Sequence, residues 1–252
     1  MLASPGEPGS CPTILFLHGK GGEASEWQPD ALRALALGYN VLLPELRGHP
    51  PSAGEFLTFG LLEKEDLARL VEAAAARFGI DPNRLGIHSC SAGSIIALEY
   101  AAGRDAVRAM WLESPYADPA AMARHYLALA TGLPEWLLAL TARWAMDLAV
   151  RRIARALLME SAPPEEERVD PLRSARRLRG RVCMVYGETD ELVPPRFARA
   201  LIPALPADSV VWAARAGHCH HADEPQKMLE EEYVRRWTSF FRENLPVAIP
   251  GL

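Results

Sequence analysis

The sequence predicts an α/β architecture: a mostly parallel sheet of about six strands, flanked by helices. Three observations lead there. Six short apolar runs recur along the 252 residues. They lack the polar alternation of half-solvated strands, so both faces are expected to be buried, as in parallel sheets. Segments with helical spacing separate them, which is the strand–helix rhythm of a sheet covered on both sides.

In chain order the runs are TILFL (13–17), YNVLL (39–43), RLGIH (84–88), AMWL (109–112), VCMVY (182–186) and SVVWA (209–213), each bounded by Gly, Pro, Asp or Glu. Helical spacing is clearest in EKEDLARLVEAAAARF (63–78) and SIIALEYAA (94–102). From 117 to 179 the rhythm breaks: the segment is rich in Leu, Ala and Arg, carries Trp136 and Trp144, and shows no strand signal. It reads as a helical cap insertion (117–179) in a single core made of 1–116 and 180–252. Its acidic run, Glu165 to Glu167, reads as a solvated loop.

Composition narrows the function classes. Apolar residues make up 49% and charged residues 23%, as in soluble globular proteins. The net charge of −5 provides no basic field for nucleic acid. The longest apolar stretch, Tyr126 to Ala142, contains Gly132, Pro134 and Glu135, so no membrane span is expected. The first residues, MLASPGEPGSCP, lack the charged and apolar regions of a signal peptide. Four cysteines (Cys11, Cys90, Cys183, Cys219) are too few for a disulfide framework, so reduced thiols and a cytoplasmic location are expected.

The stretch DPNRLGIHSCSAGSIIALEY (81–100) takes a strand through a sharp turn directly into a helix. A nucleophile on such a turn needs small residues at −2, +2 and +3, so that strand and helix can approach. Ser91 has Ser89, Gly93 and Ser94 at those places. Cys90 and Ser89 would have His88 and Ile87 at −2, which are bulky. Ser91 is therefore the expected nucleophile; the plainer reading of SCSAGS is a serine-rich helix cap.

Partners follow in order. The first run ends in LHGKGG (17–22), whose glycines allow a tight turn with exposed N–H groups. The backbone N–H groups of Lys20 and Ala92 are the expected oxyanion donors. The Lys20 side chain is expected in solvent, and His18 is expected to brace the loop. After VCMVYG comes ETDELVPP, where Asp190 is the preferred acid and Glu188 and Glu191 are surface alternatives. Glu113 is the second-choice acid. The last run leads into ARAGHCHHADEP, where His218 is the natural base and His220 and His221 are the fallbacks. His49, His88 and His125 read as packing or surface residues.

With those residues in place, the chain resembles the α/β-hydrolase superfamily over nearly its full length. Within it, the chain is similar to Bem46-like and serine-aminopeptidase-like hydrolases. The matching strings are FLHGKGG, LRGHPPSAG, FGLLEKEDL, DPNRLGIHSCSAGS, LESPYAD, VYGETDELVPP and AGHCHH. The resemblance implies the α/β-hydrolase fold, the order Ser91, Asp190, His218, and hydrolysis of esters or less often amides. Two departures stand out. The family's usual two N-terminal strands are not expected here, and the elbow has Ser89 and Cys90 where the family more often has Gly and a variable residue.

Three other readings compete. Gly19 to Ala24 fits G-x-G-x-x-A with Glu45 downstream, which mimics a dinucleotide fingerprint. His218, Cys219, His220, His221 and Asp223 invite a metal reading. A hydrolase fold can also serve as a non-catalytic binding module. The ordered Ser, Asp and His set favours an esterase acting through an acyl-enzyme on a small-molecule ester, with amides or thioesters as the alternative. No cofactor, metal or nucleic-acid partner and no membrane span is expected, and no oligomeric state is specified. Cys90 and Cys219 flank the proposed Ser and His, but no disulfide between them is expected.

Overall fold

The strands are β1 (Thr13–Leu17), β2 (Asn40–Leu42), β3 (Leu85–Cys90), β4 (Val107–Glu113), β5 (Arg181–Gly187) and β6 (Val210–Ala214). In the computed structural model, which describes residues 8–139, 168–219 and 227–247, they form one sheet in the order β2-β1-β3-β4-β5-β6. Every pairing is parallel. The principal helices are α1 (Gln28–Ala36), α2 (Glu63–Phe78), α3 (Ala92–Ala101), α4 (Pro119–Thr131) and a C-terminal helix (Lys227–Asn244). Two short helices, Pro171–Ala175 and Pro195–Arg199, flank β5 in sequence.

The continuous apolar runs have a direct cause. Successive side chains of a strand point to opposite faces, and both faces of the central strands are covered. Leu15 and Leu17 of β1 join Leu85, Ile87, Met110, Leu112, Val182 and Met184 in one core, against α2 and α3. Ile14 and Phe16 join Ala109, Trp111, Cys183 and Trp237 in the other, against α1 and the C-terminal helix. The last strand departs from the expectation of full burial. Val210 and Val211 are exposed, because β6 is the sheet edge and receives less cover.

Two helices show how sequence sets position. Helix α2 buries Leu67, Val71 and Ala74 along one stripe and ends at Gly79, whose φ of 71° suits a left-handed cap. Its first residue, Glu63, is buried, and its carboxylate accepts bonds from Thr58 N–H and Oγ1–H (both 2.6 Å) and Gly60 N–H (2.7 Å). Helix α3 is buried nearly all round, with Glu99 its single residue that is not. It runs between sheet and outer helices, so it carries no polar stripe.

Within the 117–179 segment, α4 and Pro171–Ala175 are helical, as expected of it. Residues 140–167, including Trp144 and the 165–167 acidic run, lie outside the described residues. Among the described residues no helix is long and apolar enough to cross a membrane.

Candidate active site

In a parallel sheet all strands end at the same edge, where loops converge. Register places Leu17 beside Ser89, Cys90 beside Glu113 and Gly187 beside Ala214. The residues after β1, β3, β4, β5 and β6 therefore meet in one place, although they span positions 18 to 219.

Ser91 sits on the turn between β3 and α3 with φ 53° and ψ −119°. A non-glycine residue there is strained. The turn is held by Ser91 N–H donating to Glu113 O (2.8 Å) and by Ser94 Oγ–H donating to the same carbonyl (2.8 Å). Ser89 and Ser94 contact each other through their hydroxyls at 3.1 Å. A Cβ on Gly93 would lie 2.5 Å from Leu17 O and 2.6 Å from His18 O, so only glycine lets α3 approach β1 this closely. The three small residues of the motif thus each have a structural cause.

The loop after β1 packs on that turn. A Cβ on Gly19 would meet the Ser91 Cβ at 3.3 Å. Gly22 N–H donates to Gly19 O (3.2 Å), and Gly21, at φ 76°, gives its N–H to His49 Nε2 (2.9 Å). Neither bond uses the Lys20 N–H. As the first residue of α3, Ala92 has an N–H outside the helix's own ladder. The Lys20 side chain is exposed, as expected.

His18 is buried and braces the loop. Its Nδ1–H donates to Gly19 O (2.8 Å) and its Nε2 accepts from Leu46 N–H (3.0 Å), which fixes the tautomer. Burial lowers its pKa, opposed by the Gly19 carbonyl and by Glu45, whose Oε1 lies 3.0 Å from Nε2. Glu45, which a dinucleotide site would require on a ribose, instead accepts from Ala24 N–H (3.1 Å) within the chain.

Asp190 and His218 come together from the loops after β5 and β6. His218 Nδ1 lies 2.8 Å from Asp190 Oδ2. The same oxygen accepts from Ser114 Oγ–H (2.9 Å), and Asp190 Oδ1 accepts from Val193 N–H (2.7 Å). Asp190 is only 3% exposed, so these bonds replace the water a carboxylate would otherwise need. Glu188 and Glu191 are exposed. Glu113 points away, into a buried cluster with His88 Nε2 (3.0 Å), Trp111 Nε1–H (3.2 Å) and the Tyr233 hydroxyl. Burial, reinforced by the Glu113 charge, pushes the Tyr233 pKa well above its ordinary value. His49 and His88 are structural, and His125 lies with Glu135 and Arg196 beside the site (2.7 Å from Glu135 Oε1). His220, His221 and Asp223 lie outside the described residues.

Three features escaped the sequence. Ser114, just after β4, holds Asp190. Tyr126 of α4 lies near enough to Ser91 and Asp190 to respond to both: burial is the main cause that raises its pKa, Asp190 adds to it, and Ser91 opposes it. The third is a correction: Cys90 and Cys219 form a disulfide, so the expectation of four reduced thiols does not hold. The two are 129 residues apart in sequence and 6.1 Å apart in space between Cα atoms. Convergence of β3 and β6 loops brings them together, and no local pattern announces it.

Known proteins agree with this architecture. A family model described as the alpha/beta hydrolase family matches residues 14–231. The "Uncharacterized protein YqkD" of Bacillus subtilis (strain 168) is 26% identical over 185 residues, 73% of this chain; the match spans 56% of that protein's length. Among solved structures, an esterase from Pyrococcus furiosus superposes with a TM-score of 0.69 at 20% identity, covering 94% of this chain and 84% of its own. Acetyl xylan esterase 1 from Thermoanaerobacterium sp. JW/SL YS485 gives 0.62 at 19%, covering 95% and 77%. An enol-lactonase from Burkholderia xenovorans LB400 gives 0.63 at 17%, covering 94% of each chain. At these identities the structural likeness speaks for the fold. The family model spans most of the chain and ends beyond β6, and on that match the chain belongs to the alpha/beta hydrolase family.

Proposed function

We propose that the protein is a serine hydrolase that cleaves carboxylic esters through an acyl-enzyme, with Ser91, Asp190 and His218 as its triad. The observation that carries this reading is the pairing of buried Asp190 with His218 Nδ1 at 2.8 Å, at the sheet edge where Ser91 occupies the strained turn. The esterase and lactonase activities named for the structural neighbours are consistent with it.

The chemistry follows from the residue types. Ser91 Oγ attacks the ester carbonyl as His218 Nε2 takes its proton. Asp190 holds the ring with Nδ1–H toward itself and stabilises the imidazolium. The carbonyl oxygen becomes an oxyanion facing the N–H groups of Lys20 and Ala92. When the C–O bond breaks, the alcohol leaves with the proton from His218. Water then gives a proton to His218 and attacks the acyl carbonyl; the bond to Ser91 Oγ breaks as His218 returns that proton to Ser91, and the acid is released. In this reading α4, at the start of the 117–179 segment, lines the site with Tyr126 on the Ser91 side, and the apolar composition of the segment suits an apolar acyl group.

A fluorophosphonate probe combined with p-nitrophenyl esters of graded chain length tests the reading. Labelling of Ser91 and a chain-length preference are expected. Absence of both labelling and ester turnover at any pH would instead favour a non-catalytic binding protein. Turnover of aminoacyl amides alone would move the substrate class to amides.

A further inference from the structure

Two sulfurs that the proposed ester mechanism does not use lie beside its base, His218. The sulfurs of Cys90 and Cys219 and one imidazole nitrogen of His218 all lie within 4.8 Å of one another. Cys90 precedes the proposed nucleophile and Cys219 follows the proposed base. In the disulfide form the two sulfurs are bonded to each other and offer no thiolate.

We propose that reduction of the Cys90–Cys219 disulfide creates a binding site for a zinc-class divalent cation, with Cys90 Sγ, Cys219 Sγ and His218 Nε2 as ligands. Two sulfurs on a tetrahedral zinc, each at about 2.3 Å, stand about 3.8 Å apart. A Cα separation of 6.1 Å allows that spacing with side-chain rotation alone. His218 Nδ1 already faces Asp190 at 2.8 Å, which makes Nε2 the nitrogen available to a cation among the described residues. Asp190 is itself held by Ser114 and Val193. A ring nitrogen bound to a metal while the other donates to a fixed carboxylate is the support that zinc-ligating histidines use. Soft thiolates with an imidazole favour zinc over magnesium or calcium. Among the described residues these three are the protein ligands, and water takes the fourth position.

The consequence for hydrolysis rests on the function proposed above. Nε2 cannot hold a cation and accept the Ser91 proton at once, so the loaded reduced protein is inactive. The site then couples hydrolysis to thiol state and to zinc.

The chemistry balances with a phosphine reductant. Phosphorus gives two electrons to the S–S bond and takes the oxygen of one water, and that water's two protons go to the sulfurs. The cation then displaces both thiol protons into solvent. The remaining cysteines, Cys11 and Cys183, are buried. Burial pushes the Cys183 thiol up to about 12, which makes it a poor ligand.

The test is direct binding. Wild-type protein is reduced with a phosphine, desalted without oxygen, and titrated with cobalt(II) and then zinc against a chromophoric chelator. One equivalent should bind to the reduced protein with thiolate-to-cobalt absorption, and none to the oxidised protein. Cys219→Ser should abolish the thiolate band. Asp190→Asn should weaken zinc by about 10–100-fold while the band persists. The proposal is overturned if the reduced wild-type protein shows no thiolate band, if Cys219→Ser binds as well as wild type, or if reduction unfolds the chain by circular dichroism. The wild-type comparison needs no variant to fold. The readout is independent of ester turnover, so binding without hydrolysis refutes only the function proposed above, and hydrolysis without binding refutes only the cation site.

Discussion

Gly93→Ala is a demanding perturbation because ordinary helix energetics predict the opposite result. Within a helix, replacing glycine by alanine stabilises by up to about 1 kcal/mol. Here the added Cβ would lie 2.5 Å from Leu17 O and 2.6 Å from His18 O, where real Cβ contacts essentially never fall below 3.0 Å. Both atoms are backbone, so α3 and the end of β1 must part by about 0.5 Å in a close-packed interior. Overpacking of this kind costs about 1–3 kcal/mol. At this chain length, each kcal/mol lowers Tm by about 2–4 °C. The same displacement moves the loop carrying the Lys20 N–H away from Ser91. A shift of about 0.5 Å reaches the tolerance of a preorganised site. We expect kcat on p-nitrophenyl esters to fall by about 10²-fold, near the loss of one oxyanion donor. Calorimetry and steady-state kinetics on the purified variant are the assays. An unchanged or raised Tm together with parental kcat would refute both the packing argument and the placement of the oxyanion loop.

Other expectations are simpler. Ser91→Ala should lower kcat on p-nitrophenyl esters by about 10⁴–10⁶-fold, the scale of removing a triad nucleophile, and His218→Ala should do similar damage; retained activity in the latter, by the same kinetics, would shift the base to His220 or His221. Asp190→Asn should cost about 10⁴-fold in kcat with little change in fold, because it loses the tautomer control of a carboxylate; a variant within tenfold of wild type would move the acid elsewhere. Tyr126→Phe removes the hydroxyl near Ser91 and should alter kcat/KM without altering Tm, and equal kinetics would assign Tyr126 to packing. Glu99, which accepts from Asp170 N–H and Ser174 Oγ–H, has its pKa raised above 4.5 chiefly by burial. A raised carboxyl pKa gives stability that is fully present below the unfolded value and is lost as pH rises through the folded value, so Glu99→Gln should gain Tm relative to wild type as pH rises above about 4.5; a pH-independent difference would contradict that sign.

Much of the fold was legible because burial on both faces leaves a strand no polar positions. Each of the six runs overlaps a strand, and 63–78 is a helix with those bounds. The sheet edge was less legible: SVVWA reads like a core strand, and only its place in the strand order exposes Val210 and Val211. At the site, local sterics were readable. Small residues at 89, 93 and 94 have to be small where strand, turn and helix crowd together. Asp190 and His218 were readable by their places after strands, and the structure brings them to hydrogen-bond distance. What stayed hidden depends on contacts between distant loops. Ser114 reaches Asp190 across 76 positions, His49 reaches Gly21 across 28, and Cys90 reaches Cys219 across 129. Nothing in a local window distinguishes those residues from ordinary surface or core ones.

The proposed mechanism requires a covalent intermediate on Ser91. Rapid-quench mass spectrometry during turnover of a slowly deacylating ester tests it most directly. One acyl group per chain is expected, located by proteolysis to the peptide bearing Ser91 and absent from Ser91→Ala. Hydrolysis that continues with no acylated species, or an acyl group found on another residue, would contradict it.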